Sequence, residues 1–141
     1  MNVQIELPVS SIMTTNLITL DVKDGLDKAE HLFKKYKIRH IPVIEKNKII
    51  GMISMNDLLR ISFADGAYRE EENISSSIYE MFTLRQLMIG NLETVSPDAT
   101  IKDVAELLVK REFHSLPVVE NGTLKGMVTT TDLIKYLLKQ C

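Results

Sequence analysis

The chain has 141 residues, of which 45% are hydrophobic and 26% charged, and its formal net charge is −2. This composition is typical of a globular protein of one ordinary domain's length. It contains no basic stripe for neutralising phosphates along a duplex, so nucleic acid is not expected as the main partner. No apolar run approaches the roughly 20 residues of a membrane span, and the first residues lack a signal-peptide pattern. We therefore expect a cytoplasmic protein that makes no membrane contact.

The same sequence pattern occurs twice in the chain, at an offset of 75 residues. Segment 51–57, GMISMND, returns as segment 126–132, GMVTTTD, and HIPV at 40–43 returns as SLPV at 115–118. The register needs no gap from Ile12 to Ser62. A register kept this strictly indicates one supersecondary unit used twice, with a core shared between the copies.

Each copy predicts the order β-α-β-β-α. Alternating and β-branched runs mark the strands, and Lys46-Asn47-Lys48 and Asn121-Gly122 mark hairpin turns between them. The last helix of each copy is predicted to begin near Asn56 or Thr131. The predicted strands cover residues 17–20, 41–44 and 49–54 in the first copy and 92–95, 116–119 and 124–129 in the second.

The first helix of each copy shows an apolar stripe at helical spacing. Asp24 and Thr100 are the predicted N-caps, because their side chains can accept hydrogen bonds from the first free N–H groups. The stripe predicts one buried face per helix. Its members are Leu26, Ala29, Phe33 and Tyr36 in the first copy and Ile101, Val104 and Leu108 in the second.

The predicted domain limits are residues 8–63 for repeat 1, 64–77 for a linker and 78–138 for repeat 2. The linker is rich in Gly, Ser and acidic residues, which favours a solvated segment. Short lead-in segments precede the repeats, the first at residues 9–13 and the second at residues 78–88. Both are predicted to be helical and to pack across the junction of the two repeats.

Together these motifs resemble a tandem pair of CBS domains, named for cystathionine β-synthase. The resemblance depends on a helix, an [RH]-x-x-P-V strand and a G-h-x-[ST]-x-x-D turn, present twice in the same order between Pro8 and Leu138. It implies an α+β fold of two β-α-β-β-α CBS repeats related by pseudo-twofold symmetry. It also implies that clefts between the repeats bind adenine nucleotides as regulatory signals, as in energy sensing.

The G-h-x-[ST]-x-x-D turn is the main candidate binding motif. A strand ends and a helix begins there, so free N–H groups and the positive end of the helix dipole should favour an anion. Thr129 can donate its hydroxyl to a phosphate oxygen, and Asp132 can accept from both hydroxyls of a ribose. Ser54 and Asp57 occupy the same places in repeat 1. The alternative is that these side chains act only as helix caps.

The resemblance assigns further contacts to each cleft. The apolar positions of the two turns are expected to line the base, and they are Met52, Ile53, Met127 and Val128. In relatives the segment that follows a methionine of the lead-in touches the adenine. Here that methionine is Met13 or Met88, so the corresponding residues are Thr14 and Ile89. Those contacts run largely through the backbone, so the two different side chains are compatible with the same role.

Basic residues stand three positions before each strand proline, Pro42 or Pro117. Relatives place a basic residue there to meet phosphate, which assigns Arg39 and His114, with His40 and Ser115 beside them. A guanidinium binds phosphate bidentately, so repeat 1 is predicted to be the stronger phosphate clamp. The alternative is a solvated basic residue at a strand edge.

Three functional hypotheses remain open. The leading one is a non-catalytic regulatory module that binds AMP, ADP or ATP, needs no cofactor or metal, and acts through an unknown effector protein. The same clefts could take another adenosyl ligand, S-adenosylmethionine or a cyclic dinucleotide. A second hypothesis is a ligand-free scaffold for protein interaction. A third is an enzyme of nucleotide metabolism, which the sequence does not support, because it lacks the known nucleophile, phosphate-loop and metal motifs.

The final helix of each repeat is apolar around most of its circumference. In both helices the apolar residues cover too wide an arc for one buried face. They are Leu58, Leu59, Ile61 and Phe63 in repeat 1 and Leu133, Ile134, Tyr136, Leu137 and Leu138 in repeat 2. A second buried face is therefore expected, and the resemblance implies a homodimer formed through these helices. Since the copies differ at several candidate positions, we also expect two related clefts of unequal preference.

Overall fold

The structure is a computed structural model that describes residues 3–64, 76–111 and 114–141. It contains two compact units. The central unit is Ile18–Leu92, and the terminal unit joins Met1–Leu17 to Glu93–Cys141. Most of the predicted linker lies outside the described residues. Each unit thus combines the body of one sequence repeat with the lead-in of the other.

The central unit is built on a three-stranded sheet of order β1-β2-β3. Strand β1 runs parallel to β2, and β2 runs antiparallel to β3 with Pro42 opposite Met52. Strand β1 is only two residues long, whereas the predicted strand covered residues 17–20. The elements of this unit are β1 Leu20–Asp21, α1 Leu26–Tyr36, β2 His40–Glu45, β3 Lys48–Ser54, α2 Met55–Ala64, α3 Ser76–Tyr79 and α4 Leu84–Leu87.

The terminal unit repeats this arrangement with a two-stranded antiparallel sheet. Pro117 lies opposite Met127, the same register as in the central unit. An isolated parallel bridge from Val95 to Val118 replaces the predicted first strand. The elements are a short 3-10 helix Val9–Ser11, α5 Ile101–Arg111, β4 Ser115–Glu120, β5 Thr123–Thr129 and α6 Thr130–Gln140. The α+β fold with two repeats of one pattern is confirmed.

Both hairpin turns are confirmed as two-residue loops. Lys46 and Asn47 have φ values of 51° and 68°, and both lie in the left-handed region. Asn121 and Gly122 have φ values of 53° and 82°. Two successive residues with positive φ match the right-handed twist of the flanking strands. The turns therefore fix the register that places each proline opposite a methionine.

Each unit has its own apolar core, and fully burying one such side chain contributes about 1.5–3 kcal/mol. The predicted stripe of α1 is buried at Leu26, Ala29 and Phe33, but Tyr36 is 44% exposed and does not belong to it. The central core consists of Leu20, Leu26, Ala29, Phe33, Ile41, Val43, Ile53, Leu58, Ile61, Ile78, Tyr79 and Leu84. The terminal core consists of Val9, Val104, Leu108, Leu116, Val118 and Val128.

The lead-ins are helical, as predicted, and each is part of the core built on the opposite repeat. Val9 is buried beside residues of α5, β4 and β5, and its N–H donates to the Ala99 carbonyl at 2.7 Å. Ile78, Tyr79 and Leu84 of the second lead-in are buried in the central core. The Tyr79 hydroxyl donates to the Glu30 carboxylate at 2.7 Å, and burial together with this carboxylate raises the pKa of Tyr79. The exchanged lead-ins are therefore integral to both units.

One predicted N-cap is confirmed and the other is wrong. The Thr100 hydroxyl accepts from the Asp103 N–H at 3.0 Å, as expected at the start of α5. Helix α1 is instead preceded by Gly25, which has no side chain to cap it. The Asp24 carboxylate accepts from the Asp21 N–H at 2.8 Å and pairs with Lys28 at 3.2 Å. The Asp24 side chain therefore makes its hydrogen bond in the turn before the helix and does not cap α1.

Candidate functional site

The turn at the end of β5 holds Asp132 by a reciprocal pair of hydrogen bonds. The Thr129 N–H donates to Asp132 Oδ2 at 2.9 Å, and the Asp132 N–H donates to Thr129 Oγ1 at 3.0 Å. This capping box fixes the first turn of α6 and leaves the carboxylate only partly buried. The hydroxyl of Thr129 accepts in this arrangement, so its proton remains available to another acceptor.

The turn at the end of β3 repeats this geometry around Asp57. The Ser54 N–H donates to Asp57 Oδ2 at 2.8 Å, and the Asp57 N–H donates to Ser54 Oγ at 3.2 Å. The two motifs therefore share their capping function as well as their sequence pattern. The residue Asp57 is far less accessible, with only 5% of its surface exposed.

The expectation of free backbone N–H groups at these helix starts is wrong for most of the groups concerned. Capping satisfies the N–H groups of residues 54, 57, 129 and 132. The Met55 N–H donates to the Arg39 carbonyl at 3.2 Å, and the Thr130 N–H donates to the His114 carbonyl at 3.0 Å. What the turns offer a ligand is therefore mainly side-chain oxygen and the dipole of the helix.

A lead-in residue lies directly against each turn. Thr14 forms an antiparallel bridge with Met127, with N–H to O distances of 2.7 and 2.9 Å. Ile89 forms the same bridge with Met52, at 2.9 and 3.0 Å. The predicted adenine-contacting residues are thus each joined to the turn of the other repeat within one unit.

Glycine at the start of each turn makes this approach possible. A Cβ atom at Gly126 would lie 2.8 Å from the Thr14 carbonyl oxygen, and one at Gly51 would lie 3.0 Å from that of Ile89. Both distances are shorter than ordinary van der Waals contact. Gly126 therefore allows a close neighbour, and that neighbour is the lead-in.

The two carboxylates have different side-chain partners. Asp132 Oδ1 accepts from the Thr14 hydroxyl at 3.2 Å, whereas the equivalent lead-in residue Ile89 has no hydroxyl to donate. Asp57 Oδ1 instead accepts from Arg60 Nη2 at 2.6 Å, in an ion pair one helical turn along α2. Arg60 is not among the site residues predicted from the sequence, although its spacing of three residues from Asp57 is a known signal for helical ion pairs.

The predicted basic residues lie where the second strand of each repeat begins. Arg39, His40 and His114 are exposed, and Ser115 is partly exposed. The strand register places His40 opposite Ser54 and Ser115 opposite Thr129. Each unit therefore brings its predicted phosphate-binding residues beside the hydroxyl of its own turn.

The predicted apolar lining residues are strongly buried. Ile53 and Val128 are fully buried in the cores, and Met52 and Met127 are 8% and 9% exposed. Pro42 and Pro117 are also buried. The backbone of the two methionines faces the lead-ins through the bridges already described. Of these four residues, the two methionines are therefore slightly exposed, while Ile53 and Val128 have no exposed surface.

A cavity of about 370 Å³ adjoins Asp132 within the terminal unit. It lies between α6 and the first lead-in, and Asp132 and Lys135 both line it. Across the described residues, no group of three or more His, Cys, Asp or Glu side chains is placed to hold a metal ion. No described helix combines the length and apolar character needed to cross a membrane.

Known proteins resemble this chain over most of its length. The family model of the CBS domain matches residues 9–64 and again residues 84–139. The CBS domain-containing protein YhcV of Bacillus subtilis is 26% identical over 125 residues, which cover 89% of this chain and 81% of that protein. The crystal structure of CBSX2 in complex with AMP has a TM-score of 0.78 and 25% identity, and the match covers 95% of this chain and 98% of that chain.

Some relatives are much longer proteins. The inosine-5'-monophosphate dehydrogenase of Halalkalibacterium halodurans is 33% identical over 111 residues, which cover 77% of this chain but only 20% of the enzyme. The chain spans less than half the length of several other curated relatives as well. CBS-pair domains are generally regulatory and non-catalytic. Two family matches, in the order that the repeat predicted, show that this chain belongs to the CBS domain family as a tandem pair.

Proposed function

We propose that this chain is a non-catalytic cytoplasmic module that binds an adenine nucleotide, AMP, ADP or ATP, as a regulatory ligand. The observation that carries the proposal is the turn at Asp132, where its carboxylate and the hydroxyls of Thr14 and Thr129 meet at a partly exposed site. A carboxylate that accepts from two vicinal hydroxyls is a suitable partner for a ribose. The AMP complex of CBSX2, at 25% identity, supports adenine nucleotide as the ligand class.

The remaining site residues have roles consistent with this ligand. The hydroxyl of Thr129 keeps a proton that can be donated to a phosphate oxygen. The exposed side chains of Arg39 and His114 supply donors for phosphate at the strand starts. The lead-in backbone at Thr14 and Ile89 is the proposed edge for the base. No cofactor is required for binding of this kind.

Calorimetric titration with AMP, ADP and ATP tests the proposal. In Asp132→Ala the affinity should fall by about 10-fold to 100-fold, because a hydrogen bond to a charged group contributes roughly 1.5–3 kcal/mol. Asp98→Ala is the matched control, since it removes an exposed carboxylate of the same unit. If no nucleotide binds at millimolar concentration, or if Asp132→Ala binds as tightly as the wild type, the proposal fails.

The same titration separates the alternative ligands and functions. S-adenosylmethionine and a cyclic dinucleotide should bind more weakly than the preferred mononucleotide if the ribose and phosphate contacts are as proposed. A ligand-free scaffold predicts no heat with any of these compounds. In that case the two Asp turns act only as helix caps, which is the role their hydrogen bonds already show.

A second element of the proposal is a homodimer that transmits ligand occupancy to an effector protein. Helix α6 carries an apolar face that the described chain leaves open, with Ile134, Leu137 and Leu138 at 57%, 47% and 68% exposure. Large apolar side chains grouped in this way are typical of a protein interface. Light scattering should give twice the mass of one chain. The mass of a single chain at micromolar concentration would contradict the dimer.

A further inference from the structure

We propose that the two nucleotide sites are unequal because Arg60 closes the one at Asp57. The ligand then binds first at Asp132, and Arg60 is the residue that determines occupancy. This inference rests on the proposed nucleotide function and adds to it which site is used. It is argued for the two turns separately, since each belongs to its own compact unit.

Both oxygens of Asp57 already have partners. Oδ2 accepts from the Ser54 N–H at 2.8 Å, and Oδ1 accepts from Arg60 Nη2 at 2.6 Å. The side chain of Asp57 is 7% exposed, so little of the carboxylate is left open to a ligand. A ribose hydroxyl would have to displace the guanidinium to reach Oδ1.

That displacement is unfavourable on chemical grounds. The bond from Arg60 is charge-assisted, and such bonds are roughly twice as strong as those between neutral groups. A ribose offers only neutral hydroxyls in exchange. The carboxylate is also largely shielded from water, so the ion pair is weakened less than a pair in open solvent. The Arg60 side chain is 69% exposed, so solvent weakens its side of the ion pair, but the carboxylate of Asp57 remains covered.

The position equivalent to Arg60 in the second repeat is Lys135, and it behaves differently. Lys135 lines the cavity beside Asp132, and no ion pair joins these two side chains in the described structure. The side-chain partner of Asp132 Oδ1 is the Thr14 hydroxyl at 3.2 Å. A neutral hydroxyl can rotate and serve a ligand as donor or acceptor, so this contact yields easily.

The difference follows from the chemistry of the two cations. A guanidinium presents several donors in a fixed planar fork and is weakly hydrated, which favours a lasting contact with a carboxylate. An ammonium is strongly hydrated and sits on a flexible stem. The exchange of Arg for Lys between repeats therefore separates a closed carboxylate from an accessible one. The lead-in residues add to the difference between the two carboxylates, because Ile89 in the central unit has no hydroxyl equivalent to that of Thr14 in the terminal unit.

Calorimetry with AMP tests the inference through binding stoichiometry. The wild type should bind about one AMP per chain, with the affinity reduced by about 10-fold to 100-fold in Asp132→Ala and reduced less in Asp57→Ala. Arg60→Lys, which gives repeat 1 the residue of repeat 2, should raise the stoichiometry to about two. Arg60→Ala should do the same. Arg85→Lys is the matched control, because Arg85 is exposed and pairs with Glu45 at 3.1 Å.

The outcomes separate this inference from the function on which it rests. About two AMP molecules per wild-type chain, or a stoichiometry still near one in both Arg60 variants, would overturn the inference and leave nucleotide binding intact. A greater loss in Asp57→Ala than in Asp132→Ala would also overturn it. Absence of binding in the wild type and in every Arg60 variant would defeat the proposed function, and the inference with it.

Discussion

The central and terminal units carry the same capping box but present its carboxylate differently. Asp57 is buried and paired with Arg60, whereas Asp132 is partly exposed and, among the described residues, accepts from the neutral hydroxyl of Thr14 in addition to its own turn. The pair of capping hydrogen bonds is the same in both turns, so the capping box itself does not account for the difference. The partners that differ, Arg60 and Thr14, lie outside the motif, one helical turn along and in the lead-in.

The helices that follow the two turns also differ in burial, and the helix of the central unit is again the more buried one. Leu58 of α2 is fully buried in the central core, while the equivalent Leu133 of α6 is only partly buried. None of the residues of α6 is buried. Helix α2 thus packs into the core of the central unit. Much of the surface of helix α6 in the terminal unit is instead exposed and open to another surface.

The largest expected effect comes from truncating these equivalent leucines. Leu58→Ala should lower the free energy of unfolding by about 2–5 kcal/mol, the usual range for a fully buried leucine. Leu133→Ala should cost clearly less, since its side chain already contacts solvent. Urea denaturation of both variants measures the difference. Equal losses would contradict the partial burial of Leu133 against the terminal core.

An intermediate effect is expected at the paired glycines. Gly126→Ala should destabilise the chain by about 1–3 kcal/mol, because the new methyl group meets the Thr14 carbonyl oxygen at 2.8 Å and backbone cannot move aside easily. Gly51→Ala should cost less, since its shortest contact, at 2.4 Å, is with the flexible Met88 side chain. Thermal unfolding would rank the two. The reverse order would contradict the assigned lead-in contacts.

The smallest effect should be alike in the two units. Thr129→Ala and Ser54→Ala each remove one capping hydroxyl, for a loss of about 1 kcal/mol in unfolding free energy. Hydrogen exchange of α2 and α6 amides reports each helix separately. Thr94→Ala, at an exposed position in the terminal unit, is the control. A loss confined to one helix would mean that the capping boxes are not equivalent.

Much of the fold was predictable because its determinants are local. The Asn121-Gly122 turn and the alternating strands gave the hairpins, and the repeated Asp marked the helix starts. The spacing of Arg60 from Asp57 permits an ion pair, but the sequence does not show whether the exposed arginine side chain turns toward the N-terminus of its helix. The cap at Gly25 was missed because Asp24 found a partner in the preceding turn instead. The site assignments themselves stay predictions.

The exchange of lead-ins has a consequence for the order of events during synthesis. The central unit is one continuous stretch, Ile18–Leu92, so all of its parts have been made before the terminal unit is complete. Val9, by contrast, must wait for its partners in α5, β4 and β5. Domains generally fold as units as the chain emerges, and contacts distant in sequence form slowly. We therefore expect the ribosome-bound chain to fold from its middle, with its first residues joining last.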